Sequence, residues 1–209
     1  MKTTIILIRH GLTDWNLERR WQGHLDVPLN STGIAQAQAL SQRLVGWPIQ
    51  ALYCSDLQRA AQTAAILGST LGLESISKRT WRERDVGAFQ GLTRENIIVQ
   101  YPELFHKMKE GVINPPGGEN NHDLYARAAA AFEELIAAHP GEMIALVSHG
   151  AILHTTLLYV LGLPLGEYGR ISLSGNTGIS IVESSKGRMR LTRLNDTSHL
   201  EKAPIPAAI

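Results

Sequence analysis

A single cysteine, Cys54, in 209 residues excludes an internal disulfide and any cysteine metal cluster. That usage fits a reducing compartment, and a cytoplasmic protein is the expectation. Long apolar runs are missing too. The N-terminal one, Ile5 to Ile8, is far too short for a signal h-region or a membrane span. Charge of either sign is scarce in block form. The formal net charge is +1, with Lys and Arg dispersed, so neither a nucleic-acid patch nor an acidic tail is present. No Walker glycine loop and no G-x-G-x-x-G occur, and Leu146-Val147-Ser148-His149-Gly150 lacks the first glycine of a serine-hydrolase nucleophile elbow. What is present is an ordinary globular composition, 44% hydrophobic and 19% charged, in a chain long enough to bury a core without staples.

Along the chain, Thr3 to Ile8 reads as a buried strand, short, β-branched and apolar. Asn30-Ser31-Thr32-Gly33 introduces a helix that ends before Trp47-Pro48. Ala51 to Cys54 predicts a second strand, and Ser55 with Gln58 has capping-box spacing for the helix behind it. Residues 75–122 are irregular, with short helices broken at Pro102 and a loop at "NPPGGENN". An Ala-rich helix follows from Asn121 to His139, then a strand from Met143 to Val147 and a helix after "SHG". "GISIVES" and "RMRLTRLN" predict a hairpin around Ser185-Lys186-Gly187. Without repeats or a composition break, the simplest reading is one α/β domain over residues 1–209 with a helical insert, a candidate lid, at about 93–122.

Two strands end alike. "IILIRHG" and "IALVSHG" each run from apolar residues into X-His-Gly. In open α/β sheets ligands bind beyond the carboxyl ends of parallel strands, so neighbouring strands would bring His10 and His149 together there. A lone strand-end histidine is most often structural; the duplicated pattern is what argues for a site. The glycines would let the chain turn and a ligand approach the amides. Arg9 beside His10 tends to keep the imidazole neutral, as a nucleophile requires. Arg59 falls at the start of a helix, where the dipole disfavours a cation, and so reads either as a solvated surface residue or as a group leaning toward a bound anion. Two arginines, two histidines and exposed amides suit a phosphoryl group. Metal binding is disfavoured because His149 and His154, five apart, do not share a helix face and no standard ligand spacing occurs.

"LIRHGLTDWNLERRWQG", "SDLQRAAQTA", "WRERDVGAFQG" and "LVSHG", in this order over nearly the whole chain, resemble the histidine phosphatase superfamily, the phosphoglycerate mutase-like proteins. "PPGGEN" and "DTSHLE" are similar to its short, broad-specificity phosphatase branch. The resemblance implies a three-layer α/β fold, with a mostly parallel central sheet and helices on both faces. It also implies hydrolysis of small phosphorylated metabolites through a phosphohistidine, without metal or other cofactor. His10 would be the nucleophile. Arg9, Arg59 and His149 would bind the phosphoryl oxygens, and Glu83 would be acid and then base. Asn16 matches a phosphate contact, while Gln22 and Gly23 match a loop beside the pocket. Read without that landmark, Glu83 is a surface partner of Arg82 or Arg84. The family's mutases carry a longer, arginine-rich insert, so phosphatase is favoured, with phosphoglycerate mutase-type transfer and a non-catalytic phosphate-binding regulator as alternatives. Insert residues Tyr101, Phe105, His106, Lys107, Lys109 and His122 are candidate substrate contacts or an ordinary helix surface. Trp15 and Trp21 line the site or merely pack. A monomer or homodimer is expected, with no nucleic-acid or membrane partner.

Overall fold

The computed structural model describes residues 1–109, 111–165, 170–173 and 175–201. Its elements run β1 (Lys2–Arg9), α1 (Asp14–Leu17), α2 (Ser31–Leu44), β2 (Ile49–Cys54), α3 (Gln58–Leu71), β3 (Ser75–Ser77), α4 (Arg94–Gln100), α5 (Pro102–Lys109), α6 (Asn121–Ala138), β4 (Met143–Ser148), α7 (Gly150–Leu161), β5 (Ile179–Ser185) and β6 (Arg188–Asp196). The strands form one six-stranded sheet in the order β3-β2-β4-β1-β5-β6. Its left part is parallel; β5 and β6 are the antiparallel hairpin that the Lys186-Gly187 turn predicts.

Period-two alternation along β1 explains the layering. Ile5 and Leu7 point into one core with Leu124, Phe132, Ile152 and Leu157 of α6 and α7. Ile6 and Ile8 point the other way, into a core with Leu40, Leu44, Ala64 and Leu67 of α2 and α3. A strand buried on both faces has to read as a continuous apolar run, as β1 and β4 do. Each large aliphatic or aromatic side chain so buried contributes about 1.5–3 kcal/mol. The three-layer, mostly parallel architecture is therefore present, with helices on both faces.

One local expectation needs correction. Ser55 does not cap α3: its N-cap is Leu57, without a side-chain cap, and Ser55 Oγ only accepts from Leu57 N at 3.3 Å. Asp26 supplies the missing acceptors from a distant loop, Oδ1 taking Gln58 N at 2.6 Å and Oδ2 the Gln58 amide at 3.1 Å. Within 93–122 the expected short helices are α4 and α5, divided at Tyr101-Pro102, and α6 starts at Asn121. Among the described residues no helix is long and apolar enough to cross a membrane.

Candidate active site

β1 and β4 are parallel neighbours in register, Arg9 opposite Ser148, so the two X-His-Gly ends emerge side by side. His10 N donates to Ser148 O at 2.9 Å, and the two imidazole rings lie 5.2 Å apart, centroid to centroid. Gly11 is required for a close approach rather than for a turn: a Cβ there would sit 2.6 Å from Gly33 O, at the start of α2.

Hydrogen bonds assign opposite tautomers to the two rings. His10 Nδ1 is 2.7 Å from Gly11 O, which only accepts, so Nδ1 carries the proton and Nε2 the lone pair. His149 Nδ1 accepts from Arg59 Nε at 3.1 Å, which only donates, so its proton is on Nε2. That buried Nε2–H has no partner among the described residues. One ring thus offers a lone pair and the other a donor. Both are held well below the usual imidazole value of 6.5. For His10 burial is the largest cause, then Arg59, then Arg9, against the opposing Gly11 bond. For His149 burial again leads, followed by Arg59, His10, His24 and Arg9. Burial, more than the adjacent Arg9, keeps His10 neutral.

Arg59, the second residue of α3, is almost fully buried and reaches back past the helix start. Its Nη1 donates to Leu25 O and its Nη2 to Gly23 O, each at 2.8 Å. Burial lowers its pKa to about 10, with Glu83 and Asp26 opposing, so it stays charged at neutral pH. Arg9 Nη1 donates to Leu173 O at 2.9 Å, and burial lowers its pKa against the pull of Glu83. These cations border a cavity of about 440 Å³ together with His10, Asn16, Gln22, Gly23 and Glu83. Every site residue expected from the sequence lines it except His149, whose ring is enclosed by the protein.

Glu83 does not pair with Arg82 or Arg84 side chains. Its carboxylate receives Ala151 N at 3.1 Å and Ile152 N at 3.2 Å, in the first turn of α7, and Arg84 N at 2.8 Å. A helix N-terminus is a favourable place for that negative charge. Arg82 instead forks onto Asp56. Asn16 closes the capping box of α1, its Oδ1 receiving Thr13 N and Thr13 Oγ1 at 3.1 Å. Gln22 Nε2 donates to Thr13 Oγ1 at 3.0 Å. Gly23 has φ +51, and a Cβ would fall 2.5 Å from Val86 Cγ2, so only glycine serves.

Trp15 and Trp21 line the cavity, and Trp21 also meets Phe89 edge-on at 5.8 Å. Sequence reasoning missed Arg84, Ile113 and His154 as walls, and Asn176, whose Nδ2 donates to His10 O at 2.9 Å. His154 could have been found from its place one turn into the helix after "SHG"; the others carry no local signal. Among the described residues of the insert, Ile113 alone reaches the cavity. Tyr101 and Phe105 pack instead on Val86, Phe89 and Ile97. His106 and Lys107 are exposed off the cavity wall, and His122 borders a different depression. The side chain of Lys109 falls outside the described residues.

The arrangement, a lone pair facing clustered donors at the carboxyl end of a parallel sheet, is that of a phosphoryl-binding α/β protein. Comparison with known proteins agrees. The profile of the histidine phosphatase superfamily (branch 1) matches residues 5–197. Phosphoglycerate mutase-like protein 4 of Arabidopsis thaliana is 36% identical over 204 residues, which cover 95% of this chain and 87% of that protein. The metal-independent phosphoserine phosphatase of the same plant is 32% identical, over 95% of this chain and 83% of its own. A phosphoserine phosphatase variant from Entamoeba histolytica, solved in complex with phosphoserine, superposes with a TM-score of 0.87 at 30% identity, covering 95% of this chain and 100% of that one. The chain belongs to the histidine phosphatase superfamily, branch 1, and with it to the phosphomonoester hydrolases of histidine-phosphatase type.

Proposed function

We propose that this chain hydrolyses small phosphomonoesters of the phosphoserine or phosphoglycerate kind, with His10 as the nucleophile. The observation that carries the assignment is the pair of opposite tautomers: His10 Nε2 bears a lone pair on a cavity that Arg9 and Arg59 also line, and the His149 ring, its proton on Nε2, lies behind it 5.2 Å from the His10 ring. In the first step Nε2 attacks phosphorus, a P–N bond forms and the P–O ester bond breaks. Glu83, protonated once the charge of the substrate's phosphate lies against its carboxyl, hands that proton to the departing alkoxide oxygen. In the second, Glu83 takes a proton from water as the water oxygen attacks phosphorus; the P–N bond breaks, phosphate leaves and the Nε2 lone pair returns. Splitting the displacement spares the protein a single difficult step. The loose transition state spreads charge over the equatorial oxygens, where preorganised donors act most strongly. Asn16, Gln22 and Gly23 shape the phosphate side. The whole chain acts as one catalytic unit, and the helical insert at 93–122 walls the leaving-group side through Ile113.

Rapid mixing with ³²P-labelled phosphoserine, quenched in alkali, tests the assignment. Label that survives base, is released by acid and disappears in His10→Ala is the expected result; label absent from wild-type protein during turnover overturns it. The mutase-like name of the 36%-identical relative supports a second reading. Turnover of 3-phosphoglycerate with a bisphosphoglycerate primer and almost no phosphate release would establish transfer in place of hydrolysis.

A further inference from the structure

The near-terminal stretch Asp196–Glu201 does not border the cavity, yet it closes a series of hydrogen bonds that ends on the main chain of His10. The segment Gly175-Asn176-Thr177-Gly178 lies between the end of β1 and the end of β6. Toward β1, Thr177 N donates to Arg9 O at 2.9 Å and to His10 O at 3.4 Å, and Asn176 Nδ2 donates to His10 O at 2.9 Å. Toward β6 there is no slack. A Cβ at Gly175 would lie 2.4 Å from Thr197 Cγ2, and one at Gly178 2.4 Å from Asn195 Oδ1.

Thr177 is fully buried with φ +56, a left-handed conformation that a β-branched residue rarely adopts. Such strain persists only where the surroundings over-determine it, and it gathers at functional sites. Glycine would take this backbone freely and stands close by on either side, yet position 177 keeps a hydroxyl. That hydroxyl is gripped. Thr177 Oγ1 donates to Asn176 O at 2.7 Å, so toward His199 Nε2, 2.9 Å away, it accepts. His199 therefore carries its proton on Nε2, and its Nδ1 accepts from Arg43 Nη1 at 3.3 Å. Arg43, in the last turn of α2, also forks onto Asp196. Each proton in the series has one consistent position. His199 stays neutral, its pKa lowered to about 4 by burial first and by Arg43 second, with Asp196 opposing.

We propose that His199 and Thr177 are positioning residues for phosphoryl transfer. Held from the C-terminal side, the Asn176-Thr177 peptide fixes the His10 carbonyl and Arg9 main chain, so that the imidazole tethered to Gly11 keeps Nε2 in line with phosphorus. The role rests on the reading of His10 as the nucleophile. A small displacement of an attacking atom is costly even when every catalytic group is present, because alignment supplies much of the rate.

The nitrophenolate burst and the alkali-stable label from 4-nitrophenyl phosphate measure His10 phosphorylation directly. His199→Ala is expected to slow phosphorylation about tenfold while KM moves by no more than about twofold. His199→Gln, whose amide N–H can still donate to Thr177, should recover the rate to within about threefold of wild type. Thr177→Ala removes the other end of the same bond and should match His199→Ala, with Thr177→Ser recovering; this pair carries the test should His199→Ala not fold. Wild-type phosphorylation rates in folded His199→Ala or Thr177→Ala, or a loss confined to KM, overturn the proposal. Turnover by wild-type protein without any phosphohistidine instead overturns the reading of His10, and the positioning role with it.

Discussion

The joined ends of β1 and β4 and the insert at 93–122 border one cavity but are built in contrasting ways. At the strand ends both rings and Arg59 are buried, His10 and Arg59 are tied to named carbonyls and His149 to Arg59, so position follows from sheet register. The insert rests on a small separate apolar cluster of Val86, Phe89 and Ile97, with Tyr101, Leu104 and Phe105 against it, and it leaves Val99 80% exposed. Trp21 lines the cavity and packs on Phe89, so this cluster reaches the cavity wall. On the proposed reading the chemistry falls where sheet register fixes position, and the leaving group faces the part that packs apart from the sheet.

The sharpest way to break that division is at its rigid half. His10→Ala should lower kcat on the order of 10⁴-fold or more, as loss of a nucleophile does elsewhere. A steady-state assay with 4-nitrophenyl phosphate reads it, and near wild-type turnover would return the chemistry to another group. Arg59→Ala comes next. It removes a phosphoryl-facing cation and strands the Gly23 and Leu25 carbonyls, so kcat should fall about 10²–10³-fold and the melting temperature should drop as well. A large loss of stability with kcat intact in the folded fraction would make Arg59 a brace alone.

These two residues also show how far sequence reasoning reaches. His10 and His149 were readable because buried strands betray themselves by apolar runs and the X-His-Gly ending occurs twice. The layering of helices over the sheet followed from the same runs. The place of Arg59 at the start of a helix is readable, but Ser55 is not that helix's cap. Ser55 satisfies a local rule, while Asp26 acts from a loop that only the fold brings near. Asn176 and Thr177 left no trace beyond a turn-like Gly-Asn-Thr-Gly, since they work through backbone bonds to residues far earlier in the chain. The insert candidates carry a different ambiguity, since Tyr101 and Phe105 pack on Phe89. Amphipathic spacing marks a face that is buried; it does not say whether the buried face meets a substrate or a neighbouring Phe89.

Acid gives a graded test of the rigid half. The folded protein refuses protons at His10 and His149 that the unfolded chain takes up near pH 6.5. Between that value and the lower folded-state values the unfolded chain binds more protons, so stability rises with pH there. The contribution is complete above about pH 6.5 and is lost as pH falls beneath it, by at most about 1.4 kcal/mol per pH unit for each ring. Melting temperatures from pH 8 to 5 should decline below 6.5, and less steeply in His149→Gln. Equal slopes in both proteins would mean that His149 can be protonated in place, and the buried, neutral character of this half would be lost.

The smallest effect belongs to the insert. Lys107 on α5 is exposed and away from the cavity wall, so Lys107→Ala should leave kcat/KM within about twofold of wild type, as surface changes usually do. The measurement gains force when two substrates are compared, 4-nitrophenyl phosphate and 3-phosphoglycerate, since their leaving groups differ in charge while the phosphoryl group is shared. A ratio that stays constant keeps the insert as a wall that acts through Ile113. A selective loss of about tenfold for the carboxylated ester would correspond to a lost charge-assisted contact. Lys107 would then swing over the cavity during turnover, and the insert would take part in recognition instead of only bounding it.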